Sequence, residues 1–333
     1  MPVDKVVNAG RQFKNACSHL LLAYTVKENI VRKPACLRAL HEVSQAYEVH
    51  QSAIGQRGGL WPKPSFWEEA RALLWVQVRS VYFPRELLRP ASLLTNIVLD
   101  DSRSNSRHSS SCDNLFAYIT DTVAPGIIVY DARRDNAWRV THASMYPDPD
   151  LGEYDIGGDK FTLMDGVVGI THSPAQGLVY YQPLATDRIF SVSTAVLQSG
   201  PPAEGADLPV NLVGRKSSQG LGIAVDPRDD TVIFSPMTEN AIAAWNPITN
   251  SHRVLAQDPD KLQFCAEVRW AERDNGAVWA LSSRFHKYFK RTVSKHEINV
   301  RIVRVVEPGY GGGYVSVQPQ ILRRSANFTQ SLF

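Results

Sequence analysis

The feature that most constrains this chain is a pattern stated four times. "FAYITDTVAPGIIVYDARRDNAWRV", "LVYYQPLATDRIFSVSTAVL" and "VIFSPMTENAIAAWNPITNSHRVL" each give an apolar run, a short polar link and an alternating run closed by a polar residue. "AVWALSSRF" with "EINVRIVRV" gives a shorter fourth version, and the first three add one more strand. A further short run precedes three of the copies: "NIVLDD", "GVVGITHSP" and "LGIAVDP". The copies begin near Phe116, Val179, Val232 and Val278. That spacing, roughly 45 to 65 residues, is where repeats mean propeller blades. No helical pattern of about ten to fifteen residues separates the runs, which argues against a parallel βαβ sheet. One four-stranded antiparallel unit cannot bury both of its faces, whereas radially stacked neighbours can. The expected fold is all-β, a propeller of four-stranded antiparallel blades with four blades evident.

The first 88 residues have a different texture. "RALHEVSQAYEVHQ" and "SFWEEARALLWVQVRSVYF" carry apolar residues at helical spacing, with Ser65 placed as an N-cap. The breaker-rich "GQRGGLWPKP" lies between them. The expected division is a helical-looking segment over 1–88, the propeller over 89–306, and a flexible Gly-rich tail over 307–333 that includes "GYGGGY". A net charge of +3 on 36 basic and 33 acidic residues, without a basic stripe interleaved with aromatics, argues against a nucleic-acid partner. No run of about 18 apolar residues is present, so no membrane insertion is expected. "ACSHLLLAYTV" starts late and is interrupted, a poor signal peptide. Cys17, Cys36, Cys112 and Cys265 form no C-x-x-C pair, so neither structural zinc nor any other cofactor is expected, and their pairing stays open.

From Leu87 onward a more specific likeness appears. "LLTNIVLDD", "AYITDTVAPGIIVYD", "WRVTHASMYPDPD", "FTLMDGVVGITHSP", "VYYQPLATDRIFSVSTAVL", "GRKSSQGLGIAVDP", "FSPMTENAIAAWNP" and "EINVRIVRV" resemble the insect yellow and major royal jelly protein family, in that family's order, over about residues 87–306. The resemblance implies a secreted, extracellular, six-bladed propeller linked to cuticle pigmentation and melanin. It also implies a small aromatic partner, either a biogenic amine bound in the central channel or dopachrome converted by a tautomerase. In the family a signal peptide and about two blades precede the "LLTNIV" region. Residues 1–88 match neither, as expected either from an incomplete or misjoined coding sequence, the favoured reading, or from a true replacement of that segment.

Candidate site residues follow from chemistry and from the resemblance together. An amine needs a carboxylate or acceptor for its ammonium and an aromatic or apolar wall for its ring. Glu267 in "FCAEVRW", Ser282 and Phe285 in "LSSRF" and Asn299 in "EINVRI" are so placed. The resemblance singles out Ser282 and Asn299, although the aromatic that usually follows that Asn is Val300 here. The competing reading makes Glu267 half of an ion pair with Arg269 or Arg284, and Asn299 a satisfied strand-end amide. A tautomerase needs a general base, which points to His142 in "RVTHAS" and His172 in "GITHSP", neither in a recognisable catalytic arrangement. Asp165-Gly166 reads as a turn ahead of a strand. G-x-S-x-G, H-E-x-x-H, Walker and Rossmann patterns are absent. Asn327-Phe328-Thr329 is a glycosylation sequon.

Overall fold

A computed structural model describes residues 81, 83–102, 115–203, 205–305 and 322–323 of the 333. The helical reading of the N-terminal segment (up to residue 80), the middle of the Ser-rich loop, nearly all of the tail, Asn327, Cys17, Cys36 and Cys112 lie outside the described residues. Four antiparallel sheets form a four-bladed propeller. Blade 1 is β1 (Leu94–Asp100), β2 (Phe116–Asp121), β3 (Gly126–Asp131) and β4 (Asn136–Val140). A hairpin of β5 (Glu153–Ile156) and β6 (Asp159–Thr162) follows. Blade 2 is β7 (Val167–Ser173), β8 (Leu178–Pro183), β9 (Arg188–Ser193) and β10 (Val210–Lys216), with the short helix α1 (Thr194–Leu197) before β10. Blade 3 is β11 (Ile223–Asp226), β12 (Thr231–Phe234), β13 (Ala241–Trp245) and β14 (His252–Gln257). Among the described residues blade 4 has three strands, β15 (Phe264–Ala271), β16 (Ala277–Ser283) and β17 (Val300–Val305), with α2 (Phe285–Lys290) after β16. Leu322–Arg323, from the expected tail, forms β18 against the outer edge of β10.

The same corner chemistry closes the hairpins. In "DARRD" the Asp131 carboxylate accepts the Arg133 and Arg134 N–H groups, and Asp135 is left-handed (φ 50°). In "DPRDD" Asp226 accepts Arg228 N–H and Asp230 is left-handed; in "NPITN" Asn246 accepts Ile248 and Thr249 N–H and Asn250 is left-handed. A side chain that mimics the first half of the turn, followed by a residue tolerant of positive φ, fixes each reversal.

Strand residues then alternate between the two neighbouring blades. Tyr181 and Val179 join Val98, Tyr118, Val129 and Trp138 between blades 1 and 2. Tyr180 and Ile189 turn the other way, meeting Ile223, Val225, Phe234 and Trp245 of blade 3. Ala224, Ile233 and Ile242 meet Cys265, Val268, Val278 and Ala280 of blade 4. Both faces are buried, which is why β2, β3 and β13 read as near-continuous apolar runs.

Asn96, Gly169 and Glu267 hold equivalent places on three inner strands, and Gly222 the matching place just ahead of β11. Three of them follow a bulge, at Leu94/Asn96, Val167/Gly169 and Cys265/Glu267. A Cβ on Gly169 would lie 2.3 Å from the Leu221 carbonyl oxygen, and one on Gly222 2.7 Å from Val268 Cγ2 and 2.9 Å from its backbone nitrogen. Glycine is therefore required for adjacent inner strands to approach. A second device repeats across each seam. Thr120 Oγ1 on β2 donates to the bulged Val168 carbonyl of blade 2 (3.2 Å), and Thr122 Oγ1 to Val167 (2.9 Å). Gln182 Nε2 on β8 donates to Leu221 O just ahead of β11 (3.1 Å), and Ser235 Oγ, just after β12, to Cys265 O of β15 (3.4 Å). The matching residue of β16 is Leu281, which has no donor.

Gly169→Ala is expected to cost about 3 kcal/mol or more, because its contact is rigid backbone. Gly158→Ala, with φ 87° but nothing within 4 Å, is expected to cost about 1 kcal/mol. Thr120→Val, which removes the donor and keeps the shape, is expected to lose about 1–3 kcal/mol. Urea midpoints of the three variants test this order.

Candidate functional site

Three polar constellations stand out, and the candidate residues are divided among them. The first spans blade 4, from its inner strand β15 to the start of its outer strand β17. Glu267 is buried at the axis, where Asn96 Nδ2 donates to its Oε2 (3.0 Å) and Arg269 Nε stands 3.4 Å from Oε1. Burial raises its carboxyl pKa, outweighing the pull of Arg269 and Asn96. Ser282 is also buried, one step along β16 from Leu281, the residue paired with Glu267. Asn299 abuts the start of β17: Arg284 N–H donates to its carbonyl, and its side-chain amide donates to Ser294 O (2.8 Å) and Glu297 O (3.1 Å). Its Oδ1 is buried with no hydrogen-bond partner among the described residues. Phe285 opens α2 and packs on Phe264, ring centroids 4.9 Å apart.

Phe285 belongs to an apolar cap over this end. Tyr154, Ile156 and Phe161 of the β5–β6 hairpin pack with Val168 and Leu184 of blade 2, Met237 of blade 3 and Phe264 of blade 4. The hairpin is tied to α2 by Asp159, which holds Lys290 Nζ at 2.6 Å and lies 3.8 Å from His286 Nε2. Gln219 Nε2 ties it to blade 3 through the Leu151 and Glu153 carbonyls (2.9 and 2.8 Å). His286 is fully buried and neither ring nitrogen has a hydrogen-bond partner among the described residues. Its pKa falls to about 4, burial being the main cause and Asp159 opposing it.

The second constellation surrounds His172. Its Nε2 is 3.6 Å from Asp100 Oδ2, and that carboxylate also accepts Tyr118 OH (2.9 Å) and Gln198 Nε2 (2.7 Å). Both side chains of the His172–Asp100 pair are buried, so the group acts as a polar bolt between blades 1 and 2.

The third contains His142, where β4 leaves blade 1. His142 caps the 3-10 turn Ala143–Met145, its Nδ1 accepting Ser144 N–H (3.1 Å) and contacting Ser144 Oγ (2.8 Å). An accepting Nδ1 places the ring proton on Nε2, which points at Asp207 Oδ1 at 3.6 Å. Ser144 Oγ in turn meets Tyr181 OH at 2.6 Å. Burial raises the Tyr181 pKa, so the phenol stays protonated and is the natural donor to Ser144. Ser144 lines an open pocket of about 360 Å3 with Tyr146, Pro147, Asp148, Thr186, Arg188 and Phe190 among its walls. Arg188 pairs with Asp148 at 3.1 Å across it. No residue motif announced this pocket. Its walls come from two links, Tyr146–Pro149 and Thr186–Arg188, that only the fold brings together.

Among the described residues no group of three His, Cys, Asp or Glu side chains could hold a metal, and no helix is long and apolar enough to cross a membrane. Cys265 is a buried free thiol with its pKa pushed up to about 12 by burial.

The profile of the family described as Major royal jelly protein matches residues 76–307. The chain belongs to that family. Protein yellow of Drosophila erecta is 28% identical over 238 residues, and that of Drosophila melanogaster 27%. Each alignment covers 68% of this chain and 42% of the relative, so the chain spans about two fifths of these relatives' length. Among solved structures, a nidogen/laminin complex aligns at 15% identity with a TM-score of 0.37, covering 52% of this chain and 54% of that one. A catalytically inactive virginiamycin B lyase from Staphylococcus aureus with quinupristin aligns at 14% and 0.36, covering 57% and 49%.

The His286 pKa has a direct consequence for this royal-jelly-type propeller. Between about pH 4 and 6.5 the unfolded chain binds a proton at this residue and the folded one does not, so acidification through that window favours unfolding. Urea midpoints at pH 7 and pH 5 are expected to differ less in His286→Met than in the parent, by roughly 1 kcal/mol.

Proposed function

We propose that this is a secreted, extracellular yellow-type propeller that binds a small aromatic amine and serves cuticle pigmentation. Membership of the family and the likeness to protein yellow support the setting. The observation that carries the ligand class is the open pocket between Tyr146 and Phe190. Its volume suits a single-ring or indole amine. Asp148, whose carboxylate an incoming ammonium would share with Arg188 at 3.1 Å, supplies the acceptor and the two aromatic side chains supply the walls. Glu267, Ser282, Phe285 and Asn299 are the other place for the same ligand, supported by the buried carboxylate and the unpartnered Asn299 Oδ1.

A second reading, conversion of dopachrome, is favoured by the Tyr181–Ser144–His142 chain on the pocket wall. There Ser144 Oγ would receive a carbon-bound proton from the substrate and pass its own to His142 Nδ1. His172 is the alternative base.

Calorimetric titration with serotonin and dopamine, alongside an assay for loss of dopachrome absorbance, separates the readings. Saturable binding without turnover, weakened about tenfold or more in Asp148→Asn and unchanged in Glu267→Gln, supports the pocket reading. The reverse sensitivity moves the ligand to blade 4. Turnover that disappears in His142→Gln supports the second reading. A folded protein that neither binds nor turns over overturns both.

A further inference from the structure

The hydrogen bonds around Ser144 fix the direction of one proton. His142 caps the turn Ala143–Met145, so its Nδ1 accepts the Ser144 N–H and carries no proton of its own. Tyr181 is fully buried, and its phenol stays protonated and donates to Ser144 Oγ at 2.6 Å. The Ser144 hydroxyl accepts on that side and donates on the other, toward Nδ1 at 2.8 Å. The far imidazole nitrogen, Nε2, carries the ring proton and faces Asp207 Oδ1 at 3.6 Å, on the link from α1 to β10. A hydroxyl aimed at an imidazole whose other side faces a carboxylate is the arrangement that activates a serine nucleophile.

Room for a substrate lies beside that hydroxyl, because Ser144 lines the open pocket of about 360 Å3. Phe190, on the same pocket, stacks on the Tyr181 ring with centroids 5.9 Å apart. The residue that orients Ser144 therefore also sets an aromatic wall next to it. Tyr146 adds a second, exposed ring two residues along the chain. Arg188 is the cation on this wall, held by Asp148 at 3.1 Å.

From this hydroxyl, its imidazole and the pocket they open onto, we infer that Ser144 is the nucleophile of an acyl-transfer site that hydrolyses small aryl esters. Ser144 Oγ adds to the ester carbonyl carbon while its proton passes to His142 Nδ1. The carbonyl pair moves onto oxygen, where Arg188 supplies the positive charge. The adduct collapses, the bond to the aryl oxygen breaks, and that oxygen leaves as a phenol with the proton from Nδ1. Water then adds to the acyl carbon and loses a proton to Nδ1. Collapse returns that proton to Ser144 and frees the carboxylic acid, so ester and water become phenol and acid with no oxidant or reductant. Asp207 is a positioning residue that faces the Nε2 proton and stabilises the imidazolium of both steps. The site does not rest on amine binding, and it asks of Ser144 a covalent bond that dopachrome conversion does not.

The test uses the full chain with p-nitrophenyl acetate, following nitrophenolate release, and with diisopropyl fluorophosphate, followed by peptide mass mapping. Release is expected to be at least tenfold faster than in Ser144→Ala or His142→Gln, each checked for a native circular dichroism spectrum. The fluorophosphate is expected to lose fluoride and leave its phosphoryl group on Ser144 in the folded protein and not in urea. Asp207→Asn should lower kcat about tenfold with KM unchanged, and Asp207→Glu should restore most of it, a split that a loss of fold would not give. Nitrophenolate release as fast in Ser144→Ala as in the parent overturns the proposal, as does a folded chain whose Ser144 stays unmodified by the fluorophosphate.

Discussion

The structure depends on how closely four inner strands can be brought together around one axis. Each blade's strands satisfy one another by ladder hydrogen bonds, but a bulge frees a carbonyl on an inner strand and leaves it in the interior. The neighbouring blade satisfies it: Thr120, Thr122 and Ser235 each donate across a seam to the bulged inner strand of the next blade, and Gln182 donates to the Leu221 carbonyl just ahead of β11. Glycine at 169 and 222 removes the side chains that would hold those strands apart. Asn96 and Glu267, at the two positions that keep side chains, meet each other at 3.0 Å. Apolar packing between blades supplies most of the favourable energy. The seam hydrogen bonds and glycines fix the spacing at which that packing is made.

Much of this was legible in the sequence. The four copies named the blades because strands buried on both faces leave long apolar runs, and because "DARRD", "DPRDD" and "NPITN" mark corners through Asx chemistry. What escaped was anything that depends on partners distant in sequence. Glu267 and Asn96 look like unrelated polar residues until the axis joins them, and the Ala143–Pro149 and Thr186–Arg188 links show no motif because each contributes only half a pocket. Phe285 reads as a ligand wall, yet its ring lies in the hairpin cap. The pairing of Glu267 with Arg269 was foreseeable, since residues two apart on a strand share a face. The full burial of His286 was not, because desolvation belongs to the fold and leaves no mark in residue order.

The three polar groups illustrate different uses of burial. The Asp100–Tyr118–Gln198–His172 set is a network in which each member finds a partner. At blade 4 a carboxyl with its pKa raised by burial stands on the inner strand, and an amide oxygen unpartnered among the described residues stands just ahead of the outer strand β17. At the His142 pocket the polar chain emerges on an open wall, where a buried phenol, a hydroxyl and an imidazole with a fixed tautomer stand in line. Only this last arrangement joins interior chemistry to a described opening.

The contacts that join the first blade to the last set a timetable for the molecule's birth. Asn96 waits for a partner 171 positions downstream, and Asp159 for one 131 positions away. At ribosomal speed, about 5–20 residues per second, that is a delay of several seconds or more. During that interval the centre stays unfinished, and of the axial contacts the early blades have only nearer ones, such as Thr120 with Val168, 48 positions apart. Long-range closure is slow as well as late, so a nascent chain spends its most sticky moments just before Glu267 and α2 leave the exit tunnel.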